Sequence, residues 1–256
     1  MSATLLKLLA VLFMSIDHIG EFIPGTDIVL RYIGRLAYPI FLYCALWSLH
    51  YTHDRIAYFK RLYIGSAVMA VIVLILNNAV EAPYCYITNN IFSSLLLTVV
   101  IIHTIELLRN QPGTGIKWLG ALAALQVVSI GLGTLLNGCF GLIGIKRFFG
   151  AVLPNILWCE GGSFFIIMGV VLYFLKESKW KFSFAFVLFS LYFLIPYSPE
   201  FRYEEIMQNG YQSMQVFALP FILAYNHKPG RKMKWFFYIY YPAHIVVLFL
   251  LGNCLY

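Results

Sequence analysis

Long apolar stretches separated by short polar turns run along the whole chain of 256 residues. A stretch of about 20 apolar residues can cross the hydrocarbon core of a bilayer as a helix. Backbone groups in lipid must be satisfied within their own segment, so each stretch is predicted to be helical. We predict spans at residues 4–23, 30–51, 61–79, 90–108, 117–137, 163–176, 182–197, 213–226 and 235–253.

Residues 138–162 do not fit this alternation. They are mostly apolar but include Lys146, Arg147, Pro154 and Glu160. If both ends lie on one side of the membrane, the segment is re-entrant or interfacial; if it crosses, it adds a further span and upsets the charge bias downstream. We favour the re-entrant alternative. The predicted fold is an all-α polytopic transmembrane bundle of about 9–10 spans, forming a single domain over residues 1–256.

Composition supports the membrane assignment. Hydrophobic residues make up 61% of the chain and charged residues 11%, whereas soluble domains carry about 25% charged residues. Such a chain cannot cover a water-facing surface, which excludes a soluble enzyme. The formal net charge of +7 is better explained by membrane orientation than by nucleic-acid binding. No HExxH or CxxC spacing is present, so we predict no metal site.

The positions of lysine and arginine predict how the bundle is oriented. With a cytoplasmic N-terminus and nine crossings, basic residues gather on the cytoplasmic side, in agreement with the positive-inside rule. The exceptions, on the outer side or at depth, are Arg31, Arg35, Lys146, Arg147 and Arg202. This orientation places the C-terminus outside.

Asp17 and His18 lie next to each other within the first span. Ionisable groups at membrane depth cost free energy unless they are paired, and they are functional-site candidates by default. An imidazole exchanges protons near neutral pH, so His18 is a candidate general base. Adjacent helical residues point about 100° apart, so we expect Asp17 to pair with another helix. The alternative for His18 is a structural histidine bonded to a neighbouring helix.

Arg35 lies inside the second span. Its guanidinium stays charged and presents a rigid fork of donors, so it needs a carboxylate, a polar cavity or an anionic ligand. A short loop joins the first two spans, which predicts antiparallel neighbours and brings Asp17 or Glu21 within reach. Arg35 is therefore either part of a structural ion pair or a group that holds a substrate carboxylate or thioester.

His244 lies in the last span, two residues after Pro242. Proline removes a backbone donor and frees a carbonyl, which favours a kink at this point. An imidazole beside exposed polar backbone is a candidate wall of a polar cavity.

Two basic clusters are predicted at the cytoplasmic side. The first includes His53, Arg55, Tyr58 and Arg61, and the second includes Lys228, Arg231 and Lys232. They are candidates for binding the phosphates of an anionic cytosolic ligand such as a nucleotide. Topology alone would produce the same clusters.

Several motifs resemble the TraX family in type and order. They are Met14-Ser-Ile-Asp17-His18-Ile-Gly20, Ile33-Gly-Arg35-Leu-Ala-Tyr-Pro39-Ile-Phe41, Thr52-His53, Asn90-Ile-Phe92, Phe217-Ala-Leu-Pro220 and Lys234-Trp-Phe-Phe-Tyr-Ile-Tyr-Tyr-Pro242-Ala-His244. Residues from about 110 to 210 match in hydropathy alone. There the family often has Asp-Tyr-Gly, whereas this chain has Glu160-Gly161-Gly162.

The resemblance implies acetyl transfer. The family is named for a protein that acetylates a conjugative pilin subunit, and it is grouped with polytopic acyltransferases that use cytosolic acetyl-CoA and an intramembrane histidine. It implies that His18 is the catalytic histidine, with Asp17 and Arg35 beside it and His244 as a second polar wall. The implied partners are acetyl-CoA, membrane lipids and an extracytoplasmic glycan, peptide, pilin or small molecule. The implied location is the bacterial inner (plasma) membrane.

Two other functions remain open. One is a small-molecule transporter or flippase in which Asp17, Arg35 and His244 form a relay. The other is a non-catalytic assembly factor, in which His18 would tolerate replacement. Binding of CoA discriminates between the three, because only an acyltransferase requires it.

Overall fold

The computed structural model describes residues 1–82, 84–195 and 210–256, except for the side chain of Lys234. Their regular secondary structure is helical, and no strand occurs among them. The α-helices are α1 (Ala3–Phe22), α2 (Val29–Gly34), α3 (Ala37–Tyr51), α4 (Arg55–Ala79), α5 (Ile91–Asn110), α6 (Pro112–Phe140), α7 (Ile145–Val152), α8 (Gly162–Leu175), α9 (Lys179–Leu191), α10 (Leu219–Leu223) and α11 (Lys234–Leu255). Two 3₁₀ helices cover Tyr192–Leu194 and Gly210–Ala218. Arg202 and the end of the predicted span 182–197 lie outside the described residues.

Six helical segments within the described ranges are long and apolar enough to cross a membrane. They are Ala3–Phe22, Val29–Tyr51, Arg55–Ala79, Ile91–Asn110, Pro112–Phe140 and Trp235–Leu255. The predicted all-α polytopic membrane bundle is therefore confirmed. The predicted spans 163–176, 182–197 and 213–226 correspond to shorter helices.

Two predicted spans are interrupted near a proline. Residues 30–51 form α2 and α3 instead of one continuous helix. Pro39, in the first turn of α3, has no N–H to offer the Arg35 carbonyl, and its ring would clash with that carbonyl in a continuous helix. Pro220 likewise lies at the start of α10, where the 3₁₀ helix Gly210–Ala218 ends.

The chain divides into two compact units. Unit 1 comprises Met1–Cys44, Pro83–Cys85 and Phe174–Tyr256, and unit 2 comprises Ala45–Ala82 and Tyr86–Tyr173.

In unit 1, α1 and α11 run parallel to each other. At their beginnings, the N-terminal ammonium donates to the Ala224 carbonyl, and the Ala3 amide donates to the Lys228 carbonyl over 2.8 Å. At their ends, Gly252 packs so closely on α1 that an added Cβ would come within 1.8 Å of the Phe22 carbonyl oxygen. Met1 and the end of α11 therefore lie at opposite ends of this helix pair, as an odd number of crossings requires.

Unit 2 contains a segment that turns back halfway, between α6 and α8. Near the end of α4, Asn78 and Ile143 exchange two hydrogen bonds of 3.0 Å. Ser66, at the middle of the 25-residue α4, donates to the Ala151 carbonyl over 3.1 Å. Between these points runs α7, whose 8 residues give a length of about 12 Å, too short to span. The predicted re-entrant character of residues 138–162 agrees with this path.

Helices α5 and α8 begin at the same middle level of unit 2. The Asn90 side-chain amide donates to the Ser66 carbonyl over 3.0 Å, and its backbone N–H donates to the Glu160 carboxylate over 2.6 Å. Asn90 directly precedes α5, and Glu160 lies just before α8. Glu160 thus places a negative charge at the N-terminus of α5, where the helix dipole favours it.

Candidate functional site

The ionisable residues of the first two predicted spans meet where α1 packs against α2. Close approach of the backbones depends on Gly34, where an added Cβ would lie 2.1 Å from the Asp17 Cβ. Gly20 plays the same part on α1, where an added Cβ would lie 2.9 Å from the Leu30 Cβ. Asp17 and Glu21 are four residues apart on one face of α1. The small residues therefore bring the basic side chains of α2 onto the acidic face of α1.

Four charged side chains form a balanced network at this crossing, each with 10–20% of its side-chain surface exposed. The Asp17 carboxylate accepts a hydrogen bond from Arg35 and lies 3.2 Å from Arg31 Nη1. Glu21 accepts from Arg31 Nη1 over 2.7 Å. Of the two carboxylates expected within reach of Arg35, Asp17 bonds to it, whereas Glu21 bonds to Arg31. Arg31 is a site residue that the sequence reasoning missed. It lies four residues before Arg35, and this spacing predicts that both side chains share one face of a helix.

His18 and His244 are joined by a buried hydrogen bond. His18 Nδ1 lies 2.7 Å from His244 Nε2, and His244 Nδ1 lies 2.8 Å from the Tyr240 carbonyl oxygen. A carbonyl oxygen can only accept, so His244 Nδ1 carries a hydrogen. In neutral imidazoles His244 Nε2 must then accept from the Nδ1–H of His18. The lone pair of His18 is therefore on Nε2.

The polar contact between α1 and α11 continues beyond the histidines. The Tyr240 hydroxyl lies 2.7 Å from Ser15 Oγ, and Ser15 Oγ donates to the Val11 carbonyl over 2.7 Å. Because a serine hydroxyl has one hydrogen, Tyr240 is the donor in their contact. Helix α11 continues through Pro242, so Tyr240 and His244 lie one turn apart on the same face. The tyrosine thus fixes the turn of α11 that carries the histidine.

A second hydrogen-bond chain leaves Arg35 toward the 3₁₀ helix Gly210–Ala218. Arg35 Nη1 donates to Gln212 Oε1 over 3.1 Å, and Gln212 Nε2 donates to Gln215 Oε1 over 3.2 Å. The Tyr211 ring centre lies 5.2 Å from the Arg35 guanidinium carbon, within cation–π range. The sequence reasoning missed both glutamines, because uncharged amides in an apolar stretch carry no signal that separates them from helix packing.

The first predicted donor-binding cluster lies in unit 2. His53 is exposed just before α4. Arg55 Nη1 donates to Glu106 and lies 3.0 Å from His103 Nδ1, and Glu106 also accepts from the Tyr173 hydroxyl over 2.7 Å. Arg55 is thus held in an ion pair within the unit.

The remaining predicted donor-binding residues are placed differently. Tyr58 is buried and its hydroxyl donates to a backbone carbonyl of α3 over 3.4 Å, while Arg61 lies with its guanidinium carbon 5.8 Å from the Tyr58 ring centre. Lys228, Arg231 and Lys232 are exposed in unit 1, on the loop that holds the N-terminus. The second cluster therefore lies at the end of unit 1 where α1 and α11 begin.

A family model described as TraX protein matches residues 2–252. The chain belongs to the TraX family. No curated protein and no solved structure matches it. The TraX match includes every residue of the charged network, the histidine pair and the second hydrogen-bond chain, so the family resemblance noted from the motifs is confirmed.

Asp17, His18 and Glu21 of this TraX-family protein place possible metal-ligand atoms within 4.8 Å of one another. Both carboxylates, however, are already paired with Arg31 or Arg35. A metal ion bound there would lie close to two guanidiniums, whose repulsion is strong in a low-dielectric environment. The charges around the cluster therefore disfavour a bound cation.

Gly34→Ala should destabilise this TraX-family protein by about 1–3 kcal/mol, the usual effect of overpacking. The added methyl would overlap Asp17 and force α2 away from α1. Thermal unfolding in detergent measures the effect. Gly131→Ala is the matched control, because an added Cβ there meets nothing within 4 Å. Equal unfolding temperatures for Gly34→Ala and the parent protein would contradict the close crossing.

Proposed function

We propose that this TraX-family protein is a membrane-embedded acyltransferase that moves an acetyl group from cytosolic acetyl-CoA to a hydroxyl or amine at the outer face. The observation that carries the proposal is the hydrogen-bonded pair of His18 and His244, whose tautomers place a lone pair on His18 Nε2. An imidazole is the side chain best suited to take and return a proton near neutral pH. Its position within a span favours a functional role.

In the proposed reaction His18 acts as the general base. Its Nε2 takes the proton of the acceptor O–H or N–H while the acceptor atom bonds to the acyl carbon. The tetrahedral intermediate then collapses, the carbon–sulfur bond breaks, and the departing thiolate of CoA receives that proton. The positive charge on His18 in between is shared with His244 through the Nδ1–H bond.

Arg35 would stabilise the negative charge of the tetrahedral intermediate. Within the described residues, three of its five N–H groups bond to the Arg31 carbonyl, Gln212 and Asp17, and the other two could donate to a substrate oxygen. Asp17 is a positioning residue that fixes the guanidinium. A donor held in place before the reaction, away from water, stabilises developing charge more than one that must reorient.

The phosphates of the donor are assigned to exposed or partly exposed basic residues. In unit 1 these are Lys228, Arg231 and Lys232, at the end where the N-terminus is held. The positive-inside rule favours a cytoplasmic position for this end. The pantetheine arm of CoA would then enter along α1 toward His18, and the acceptor would approach from the opposite end.

Binding of CoA to the purified protein tests the proposal. We expect acetyl-CoA to raise the unfolding temperature and to bind in calorimetry, more weakly as salt increases because phosphate contacts are screened. Labelled acetyl-CoA added to native membranes should then release CoA and label an acceptor. No heat and no stabilisation with millimolar acetyl-CoA, at low salt and in two detergents, would favour the transporter relay of Asp17, Arg35 and His244.

Lys232→Glu should raise the KM for acetyl-CoA with a smaller effect on kcat, because a phosphate contact made equally in ground and transition states is uniform binding. Steady-state kinetics of CoA release measures both constants. Lys179→Glu is the control, since Lys179 is an exposed basic residue of the same unit at the start of α9. A KM that rises equally in both variants would exclude a specific role for Lys232.

A further inference from the structure

The 3₁₀ helix Gly210–Ala218 aligns two glutamines toward the charged network. A 3₁₀ helix has three residues per turn, so Gln212 and Gln215 lie directly above one another. The helix is 9 residues long, whereas runs of 3₁₀ helix seldom exceed three or four residues. The regular α-helical spacing would have separated the two side chains by about 60°.

The orientation of both amide groups is fixed by Arg35. A guanidinium can only donate, so the Gln212 atom that faces it must be the oxygen. Gln212 therefore turns its NH₂ to Gln215, and the facing atom of Gln215 must again be the oxygen. The Gln215 NH₂ group is left at the end of the chain. Rotating either amide by 180° would place donor against donor.

Among the described residues, Gln215 Nε2 has no hydrogen-bond partner, although Gln215 is fully buried, with 0% of its surface exposed. A buried donor without a partner costs about 1–3 kcal/mol, so a bound ligand that accepts from it would remove a real penalty. The ligand atom must be an acceptor. It need not be charged, because Asp17 and Glu21 already balance Arg31 and Arg35.

In depth along unit 1, Gln215 lies between the level of Arg35 and the end where the N-terminus is held. Gln212 and Asp17 bond to the same guanidinium of Arg35, so they lie at a similar depth. Gln215 is one 3₁₀ turn, about 6 Å, further along the chain toward Ala224. The Ala224 carbonyl accepts from the N-terminal ammonium. Any ligand that reaches His18 from the Lys228–Lys232 loop passes this level. A ligand whose thioester reacts at His18 would therefore need an uncharged hydrogen-bond acceptor a short distance along its chain from the sulfur.

We propose that Gln215 binds an amide carbonyl of the pantetheine arm of CoA. Pantetheine has two amide groups, of which the nearer is separated from the sulfur by an ethylene spacer, and each presents an uncharged carbonyl oxygen. The assignment of the ligand as CoA rests on the proposed function. Gln215 is thus a substrate-binding residue that binds the pantetheine arm of the donor, while the basic loop binds its phosphates.

Two probes separate the arm from the phosphates. CoA has both, whereas adenosine 3′-phosphate 5′-diphosphate has the phosphates without the arm. Gln215→Glu keeps the oxygen that accepts from Gln212 but removes the NH₂ donor, and Gln215→Met removes both at similar length. We expect both variants to bind CoA about three- to tenfold more weakly, as loss of one neutral hydrogen bond predicts, with unchanged binding of the nucleotide probe.

Calorimetry on the detergent-solubilised protein measures both affinities, and thermal unfolding without ligand verifies that each variant is folded. Ser213→Ala, a buried position of the same 3₁₀ helix, should bind both probes like the parent. Unchanged CoA affinity in the Gln215 variants, or an equal loss for both probes, would overturn the assignment of Gln215. Failure of the parent protein to bind either probe would instead refute the proposed acyltransferase function.

Discussion

Replacing His18 with alanine should lower the proposed acetyl transfer by about 10²- to 10⁴-fold, the range that general acid–base catalysis contributes. The variant loses the lone pair on His18 Nε2, whose position is set by the hydrogen bond from His18 to His244 and the bond from His244 to the Tyr240 carbonyl. The bundle should stay folded, because the ion pairs of Asp17 with Arg35 and Arg31 remain in the variant. Release of CoA in native membranes, at matched protein levels, measures the loss.

His50→Ala is the matched control for this experiment. His50 is an exposed histidine of α3 whose ring contacts Trp47 and Tyr51, so its removal should leave transfer unchanged. His244→Ala should cause a smaller loss than His18→Ala, because the base remains but its tautomer is no longer fixed. If His18→Ala keeps the turnover of the parent, His18 is not the base and His244 becomes the candidate.

Replacing Arg35 with leucine should destabilise the protein by about 3–5 kcal/mol, the usual effect of leaving one member of a buried ion pair without its partner. Asp17 would retain Arg31 at 3.2 Å, but that guanidinium also serves Glu21. Arg35→Lys should be more stable than Arg35→Leu and still impaired in transfer, because an ammonium cannot bond Asp17 and Gln212 as a planar fork does.

The double variant Asp17→Leu with Arg35→Leu provides the decisive comparison. It leaves Glu21 with Arg31, so the remaining charges balance. Its unfolding temperature should therefore recover toward that of the parent, while transfer stays low. Strictly additive losses from the two single changes would show that Asp17 and Arg35 do not act as a pair.

Hydropathy and charge alone predicted the class of this fold and one ion pair of the candidate site. Asp17, His18 and Arg35 are polar groups in spans where each must find a partner, and a short loop makes neighbours of α1 and α2. The pairing of Asp17 with Arg35 joins residues only 18 positions apart. Reasoning of this kind predicts contacts between helices that are neighbours along the chain.

The rest of the site depends on contacts that a periodic pattern does not encode. His18 meets His244 across 226 positions, and Arg35 meets Gln212 across 177. The 3₁₀ geometry of Gly210–Ala218 is also hidden, because an apolar run of this composition fits an α-helix equally well. Helices α5 and α8 start beside the middle of α4, because Asn90 donates hydrogen bonds to Glu160 and to the Ser66 carbonyl. A hydropathy profile predicts the length of a helix but not the depth at which it begins.

The parallel pairing of α1 with α11 has a consequence for biosynthesis. The chain can neutralise its buried charges as soon as α2 has entered the membrane, since Asp17, Glu21, Arg31 and Arg35 all lie in the first two helical segments. The two histidines cannot meet until α11 has been translated and inserted. In the nascent chain, the ion pairs between α1 and α2 can therefore form well before the hydrogen bond between His18 and His244. Loss or delayed insertion of the last helix should leave a protein that is inserted in the membrane but lacks the hydrogen bond between His18 and His244.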